Sequence, residues 1–179
     1  MKRAAFLDRD GVINKAFLVN GVPTPPRNLA DIEFLPQVKD AILLIKEYNF
    51  EIVVVTNQPD VARGTQTQKA VQEINAFIGK ELGLSHFYVC FHDDMDGCDC
   101  RKPLPGLLLK ASRDLDLNLT RSFMVGDRWR DISAGQSAQC KCLFVNNGYK
   151  EKSPHLPFTE VSSLIDAAWI MIGEQNGCG

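Results

Sequence analysis

The stretch Glu51-Ile52-Val53-Val54-Val55-Thr56-Asn57 decides the fold. It is β-branched and continuously apolar, with no polar alternation until Thr56. That is the pattern of a strand buried on both faces, as in a parallel sheet covered by helices. Upstream, Arg3–Leu7 (RAAFL) is a short apolar run that ends in acid. Between the two, Ile32–Tyr48 carries Leu35, Val38, Ile42 and Ile45 at three- and four-residue spacing, which predicts an amphipathic helix. Downstream, Thr67–Leu82 returns to helical spacing and His86–His92 (HFYVCFH) reads as a strand. Gly106–Leu115 reads as a helix, Ser122–Asp127 (SFMVGD) as a strand, and Trp129–Gln136 as a short helix. Lys141–Asn147 (KCLFVNN) is a further strand, and Val161–Ile172 a last helix. Strands and helices alternate, which predicts an α/β fold: a three-layer, Rossmann-like parallel sheet with helices on both faces. Residues 1–172 are expected to form one domain, Asn20–Asn28 a proline-rich surface loop, and residues 173–179 a frayed tail.

Bulk properties narrow the function. The chain has 179 residues, 45% hydrophobic and 23% charged, with a formal net charge of −2. These are ordinary globular values for one domain. A chain with this balance has no broad basic field for nucleic acid or anionic membrane. No segment reads as a signal peptide or a membrane span. The expectation is a cytoplasmic monomer acting on a small molecule. In that compartment clustered cysteines point to metal ahead of disulfides.

In open parallel sheets, ligands sit beyond the carboxyl ends of the strands. Four polar clusters fall there. In Asp8-Arg9-Asp10-Gly11, one acid could attack as a nucleophile while the other carries a proton, and the pair could cradle Mg²⁺. A polar turn is the plain alternative. Thr56 and Asn57 leave the central strand with a hydroxyl and an amide suited to phosphate oxygens, or to capping a turn. Arg63 could add a cation from a loop. Arg101 and Lys102 offer a bidentate donor and a point charge, or a solvated basic pair. Asp127 follows a strand and a glycine and suits a metal ligand. Asp131, one helical turn on, suits a partner that holds a lysine or a metal-bound water. Each cluster is ambiguous alone; four at successive strand ends point to an enzyme.

With these residues in place, the chain resembles the haloacid-dehalogenase-type phosphatases. The resemblance rests on Asp8-x-Asp10-Gly11-Val12, Thr56, Lys102 and Gly126-Asp127…Asp131, in order across most of the chain. Within that superfamily it resembles the branch of the D-glycero-D-manno-heptose 1,7-bisphosphate phosphatases and the histidinol-phosphatase domain. Here the carriers are Thr56-Asn57-Gln58 and Cys90-Phe91-His92…Cys98-Asp99-Cys100-Arg101-Lys102-Pro103. Ala62-Arg63-Gly64 matches the heptose side, whereas Pro59-Asp60 departs from the Ser-Gly usual there. The resemblance implies a phosphatase in which Asp8 attacks phosphorus and Asp10 serves as general acid and base. Mg²⁺ would be held by Asp8, the backbone carbonyl of Asp10, and Asp127. Thr56 and Lys102 would hold the transferring oxygens, and Asn57, Arg63 and Arg101 would bind substrate. The implied substrate is a heptose bisphosphate used for surface glycans. Histidinol phosphate, or another sugar phosphate, is the alternative within the class. A non-catalytic, zinc-stabilised binding module is the alternative outside it. The gaps between motifs leave no room for an inserted cap domain, so loops alone are expected over the site.

Cys90, His92, Cys98 and Cys100 form a Cys3His set with one, five and one intervening residues. Four such ligands close a tetrahedral zinc site and leave no position for water or substrate. The expected zinc is therefore structural, and it would set Arg101 and Lys102 against the phosphate. The plain alternative is a reduced, unliganded loop. Cys140 and Cys142 are read as small buried hydrophobes, Cys178 as a tail thiol, and Trp129 as a residue that lines the site or packs. His86 and His155 have no evident partner.

Overall fold

The computed structural model describes residues 1–176. In chain order the elements are β1 (Arg3–Leu7), β2 (Phe17–Val19), β3 (Val22–Thr24), α1 (Val38–Glu47), β4 (Phe50–Asn57), α2 (Gln68–Leu82), β5 (His86–Cys90), α3 (Gly106–Leu115), β6 (Phe123–Gly126), α4 (Trp129–Ser137), β7 (Lys141–Val145), β8 (Thr159–Val161) and α5 (Leu164–Asn176). Six strands make one sheet in the order β5-β4-β1-β6-β7-β8. Every neighbouring pair in it is parallel.

The unbroken apolar run of β4 is explained by its two faces. Ile52 and Val54 pack with Ile42 and Ile45 of α1, Ile74 and Ile78 of α2, and Ala167 and Ala168 of α5. Val53 and Val55 pack on the other face with Leu107, Leu108 and Ala111 of α3 and Ile132 of α4. β1 divides the same way, Ala5 and Leu7 against Ala4 and Phe6. Winding runs outward from β1 to β4 and β5, then crosses back to β6, β7 and β8 on its other side. The reversal at β1 opens a crevice beyond the strand ends, where such sheets bind ligands. No helix among the described residues is long and apolar enough to cross a membrane.

Three elements differ from the sequence reading. Part of the expected loop at Asn20–Asn28 is hydrogen-bonded: β2 and β3 form an antiparallel hairpin. Pro23 and the three-residue strands hide it from a periodicity search. The first helix starts at Val38, not near Ile32, because Pro36 and a left-handed Gln37 precede it. Val161 matches the helical spacing of the last helix, yet it ends the edge strand β8 beside Val145. That helix runs on to Asn176, four residues into the stretch expected to fray. Cys178 lies outside the described residues.

Candidate active site

Asp8 follows β1 directly, and its amide donates to the Val125 carbonyl of β6 at 2.9 Å. Its Oδ1 accepts from Lys102 Nζ at 2.7 Å. The lysine arrives from the loop after β5. It also bonds the Val55 carbonyl at 2.7 Å and pairs with Asp131 Oδ1 at 2.6 Å. Lys102 is 2% exposed. Burial would lower its pKa, but the charges of Asp131 and Asp8 outweigh that and raise it. The cation is thus fixed as an ammonium. Asp131 has both oxygens occupied, since Oδ2 accepts from the Arg128 amide at 3.0 Å and so caps α4. It pairs with the lysine, one of the two partners expected for it.

Asp127 directly follows β6, beside Asp8. One carboxylate oxygen from each of Asp8, Asp127 and Asp131 lies within 4.8 Å of the others, a group able to hold a metal ion. Burial, ahead of the charges of Asp8 and Asp131, pushes Asp127 well up from the usual carboxylate range. Burial also pushes Asp8 up to about 7, against the pull of Lys102. Three buried side-chain oxygens among the described residues have no hydrogen-bond partner: Asn14 Oδ1, Gln58 Oε1 and Asp127 Oδ1. Only the last belongs to an acid. A buried carboxylate oxygen left unpaired is costly, and a hard cation is the partner that suits it.

Two glycines make this approach possible. A Cβ on Gly11, whose φ is +92°, would lie 1.7 Å from Asp127 Oδ2. A Cβ on Gly126 would lie 2.1 Å from Asp131 Cβ. Gly11→Ala is therefore expected to displace Asp127 and to add about 1–3 kcal/mol of backbone strain. A melting temperature and Mg²⁺ affinity both equal to those of the parent protein would contradict this reading.

Asp10 sits apart from the three carboxylates. Arg9, fully buried, grips it with Nε on Oδ1 at 3.1 Å and Nη2 on Oδ2 at 3.0 Å. Asn14 and Gln58 add donors at 2.9 and 2.8 Å. Arg9 is itself anchored to Asn75 of α2 at 2.8 Å. Gln58 also donates to Thr56 Oγ1 at 3.0 Å, which leaves the hydroxyl hydrogen free to point into the cleft that Thr56 lines. Asn57 lines the cleft and is also tied to the loop that carries Lys102. Its amide is taken up at both ends by the Lys102 backbone, Nδ2 to the carbonyl at 2.9 Å and Oδ1 from the N–H at 3.1 Å. It fixes the lysine-bearing loop beside β4.

The cysteine loop closes as the ligand types suggested. Sulfur–sulfur distances are 3.2 Å for Cys90–Cys100 and 3.8 Å for Cys90–Cys98. His92 Nδ1 lies 3.6 Å from the Cys90 sulfur and 3.4 Å from that of Cys100. A tetrahedron with metal–sulfur bonds of about 2.3 Å has edges near 3.8 Å, so these donors stand at metal-binding separations. Between the ligands, Asp93 and Asp94 organise the cleft mouth. Asp93 takes Arg63 bidentately, at 2.6 and 2.8 Å. Asp94 takes Arg101 Nε at 2.7 Å and Arg130 at 3.0 and 3.1 Å. The Arg63 hydrogen bonds hold Asp93 down at about 2, so it stays ionised at any ordinary pH. Asp60, which replaces the residue expected from the family pattern, sits 3.5 Å from Arg63.

Asp8, Asp10, Thr56, Asn57, Arg63, Arg101, Lys102 and Asp131 all line one cleft, which the β2–β3 hairpin walls on one side. Asp127 stands behind them. Sequence reasoning missed Arg130, Gln58, Arg9 and Asn147. Gln58 and Arg9 stand inside quoted motifs, and Arg130 is the second arginine of Asp127-Arg128-Trp129-Arg130-Asp131; Asn147 carried no local signal. Trp129 packs under Arg130 and Lys152 at 4.9 and 4.5 Å. His86 does have a partner, Glu51 at 3.3 Å. Cys140 and Cys142 are buried, as read.

Sequence comparison decides the family. A protein of Helicobacter pylori (strain J99) named D-glycero-beta-D-manno-heptose-1,7-bisphosphate 7-phosphatase is 33% identical over 176 residues, covering 94% of this chain and 97% of its own. The chain belongs to that family of phosphatases. The Escherichia coli K12 protein of the same name is 35% identical over 147 residues, covering 75% of this chain and 74% of its own. The HAD-hydrolase-like family model matches residues 99–166. Among solved structures, the D,D-heptose 1,7-bisphosphate phosphatase of B. bronchiseptica, complexed with magnesium and phosphate, superposes with a TM-score of 0.83. It is 28% identical and covers 96% of this chain and 99% of its own. Membership of this heptose phosphatase family accounts for the four clusters at the strand ends.

Proposed function

We propose that this chain hydrolyses the 7-phosphate of D-glycero-D-manno-heptose 1,7-bisphosphate, leaving the 1-phosphate. The observation that carries the reading is the buried Asp8 carboxylate, held by Lys102 beside Asp127 in the crevice beyond β1 and β6. Asp8 attacks phosphorus and the P–O bond to the sugar breaks. Asp10 gives its proton to the departing C7 oxygen. Water then attacks the aspartyl-phosphate, Asp10 takes the water's proton, and inorganic phosphate leaves. Asp10 must first turn from Arg9 toward the cleft. Lys102 and the Thr56 hydroxyl hold the non-bridging oxygens, a task of positioning and charge neutralisation. Asp8, the Asp10 carbonyl and Asp127 would hold Mg²⁺, which supplies further neutralisation of the phosphoryl charge.

Arg63, Arg101 and Arg130 converge at the mouth on Asp93 and Asp94. They suit a second phosphate, the one at C1, since guanidinium matches phosphate bidentately. Zinc on Cys90, His92, Cys98 and Cys100 would fix the loop that orients them. The reading further takes residues 1–172 as a single catalytic unit working as a monomer in the cytoplasm, where the thiols stay reduced. The six-stranded sheet that joins β1 to β8, with only the β2–β3 hairpin outside it, supports the first part.

Parallel turnover assays on both anomers of the heptose bisphosphate and on histidinol phosphate test the assignment. The heptose ester should lead in kcat/KM; a lead for histidinol phosphate would reassign the substrate. Stripping zinc with a chelator should act mainly on KM. Losing one charge-assisted hydrogen bond to the second phosphate costs about 1.5–3 kcal/mol, a rise in KM of about 10- to 100-fold. An unchanged KM in a verified zinc-free protein would count against the loop's role.

A further inference from the structure

The loop after β7 reaches the metal group from outside the four motifs. Asn147 Nδ2 donates to Asp127 Oδ2 at 3.1 Å and to the Gly11 carbonyl at 3.0 Å. Both targets only accept, so the nitrogen end of the amide must face them. The Tyr149 hydroxyl lies against the same carboxylate and 3.3 Å from Asn147 Nδ2. Oδ2 of Asp127 is thus satisfied by Asn147 while Oδ1 has no partner. The Gly11 contact spans 136 residues and ties the turn that follows Asp8 and Asp10 to the end of β7.

We infer that Asn147 and Tyr149 are positioning residues for the cation. Asn147 holds Oδ2 of Asp127 and Tyr149 lies against the same carboxylate, so that Oδ1 faces the ion, and Asn147 also sets the spacing between Asp127 and the Asp8 turn. A second cavity, lined by Trp129, Asn147 and Tyr149, opens on the far side of Asp127. The tyrosine therefore has room to be altered without repacking the core. This inference rests on the reading of Asp8 and Asp127 as a Mg²⁺ site.

The test is calorimetric titration of Mg²⁺ into the unmodified protein and the variants Asn147→Ala, Tyr149→Phe and Asp127→Asn, with turnover measured across Mg²⁺ concentrations. Loss of such an outer partner costs about 10- to 100-fold in metal affinity, expected for Asn147→Ala. Tyr149→Phe should lose about 2- to 10-fold, the net value of one hydrogen bond. In both, saturating Mg²⁺ should restore turnover with KM for the sugar phosphate unchanged, which a merely structural defect would not allow. Parental Mg²⁺ affinity in these two variants, with Asp127→Asn losing it, overturns the inference alone. Parental affinity in Asp127→Asn overturns the metal reading beneath it. Should Asn147→Ala not fold, Tyr149→Phe decides by itself, since it removes one oxygen.

Discussion

Asp8→Asn is expected to abolish phosphate release while leaving a folded protein. An amide cannot form the acyl-phosphate, and removing a nucleophile that acts as a unit with its partners typically costs 10⁴-fold or more, roughly the scale seen for other covalent enzymes. The fold should tolerate the change because Lys102 is not stranded: Asp131 and the Val55 carbonyl still hold it, at 2.6 and 2.7 Å. The substitution also removes a carboxylate that burial disfavours, with a pKa raised to about 7. The sign follows from proton linkage. A carboxyl whose pKa is higher folded than unfolded binds more protons in the native state. Its presence therefore makes the metal-free protein lose stability as pH rises from about 4 to 7. Asp8→Asn should flatten that fall and melt no lower than the parent at pH 7. Chemical denaturation of both proteins at pH 5 and 7, with phosphate release alongside, checks each half. Turnover near the parental rate would remove Asp8 from the nucleophile's role.

Lys102→Ala should do the opposite and damage the fold first. It takes the one ammonium from between Asp8 and Asp131, whose side chains are 10% and 3% exposed. Breaking a buried pair by removing one partner costs about 3–5 kcal/mol, because the remaining charge is left uncompensated. That is a large share of the roughly 5–15 kcal/mol that stabilises a typical domain. In a chain of this size it lowers Tm by about 10 °C or more. The penalty should shrink in acid, where the abandoned carboxylates can protonate. Turnover should fall as well, by about 10²–10³, the usual cost of one donor aimed at transition-state charge. A variant that melts within a degree or two of the parent at pH 7 would show that Lys102 does not balance those acids.

Both predictions concern residues that the chain order alone brings to notice. Asp8, Thr56, Lys102 and Asp127 stand out because each is a polar residue at the carboxyl end of an apolar strand or in the loop that follows it, and the strand-end rule says where to look. The partners that tune them do not stand out. Nothing local to Asn147 shows that it will cross β6 to reach Gly11, and nothing local to Arg9 shows that it will be buried on Asp10. Asn57 illustrates the converse. Its residue type suits a phosphate, and only the register of β4 beside β5 shows that both ends of its amide also meet the Lys102 backbone. The β2–β3 hairpin and β8 were hidden for a simpler reason. Each strand is three residues long, too short for alternation to accumulate against proline or against a neighbouring helix's spacing.

The strand order has a kinetic consequence. Asp8, Thr56, Lys102 and Asp127 come from four different strand ends, and the Lys102–Asp8 contact closes over 94 residues. No hairpin or helix pair can assemble even half of that quartet. Parallel pairings of such separation are slow to close, since chain entropy is lost before contacts repay it. During refolding, helical signal should therefore return well ahead of phosphatase activity. The interval between them would time the docking of β6 against β1, the step that brings Asp127 to Asp8.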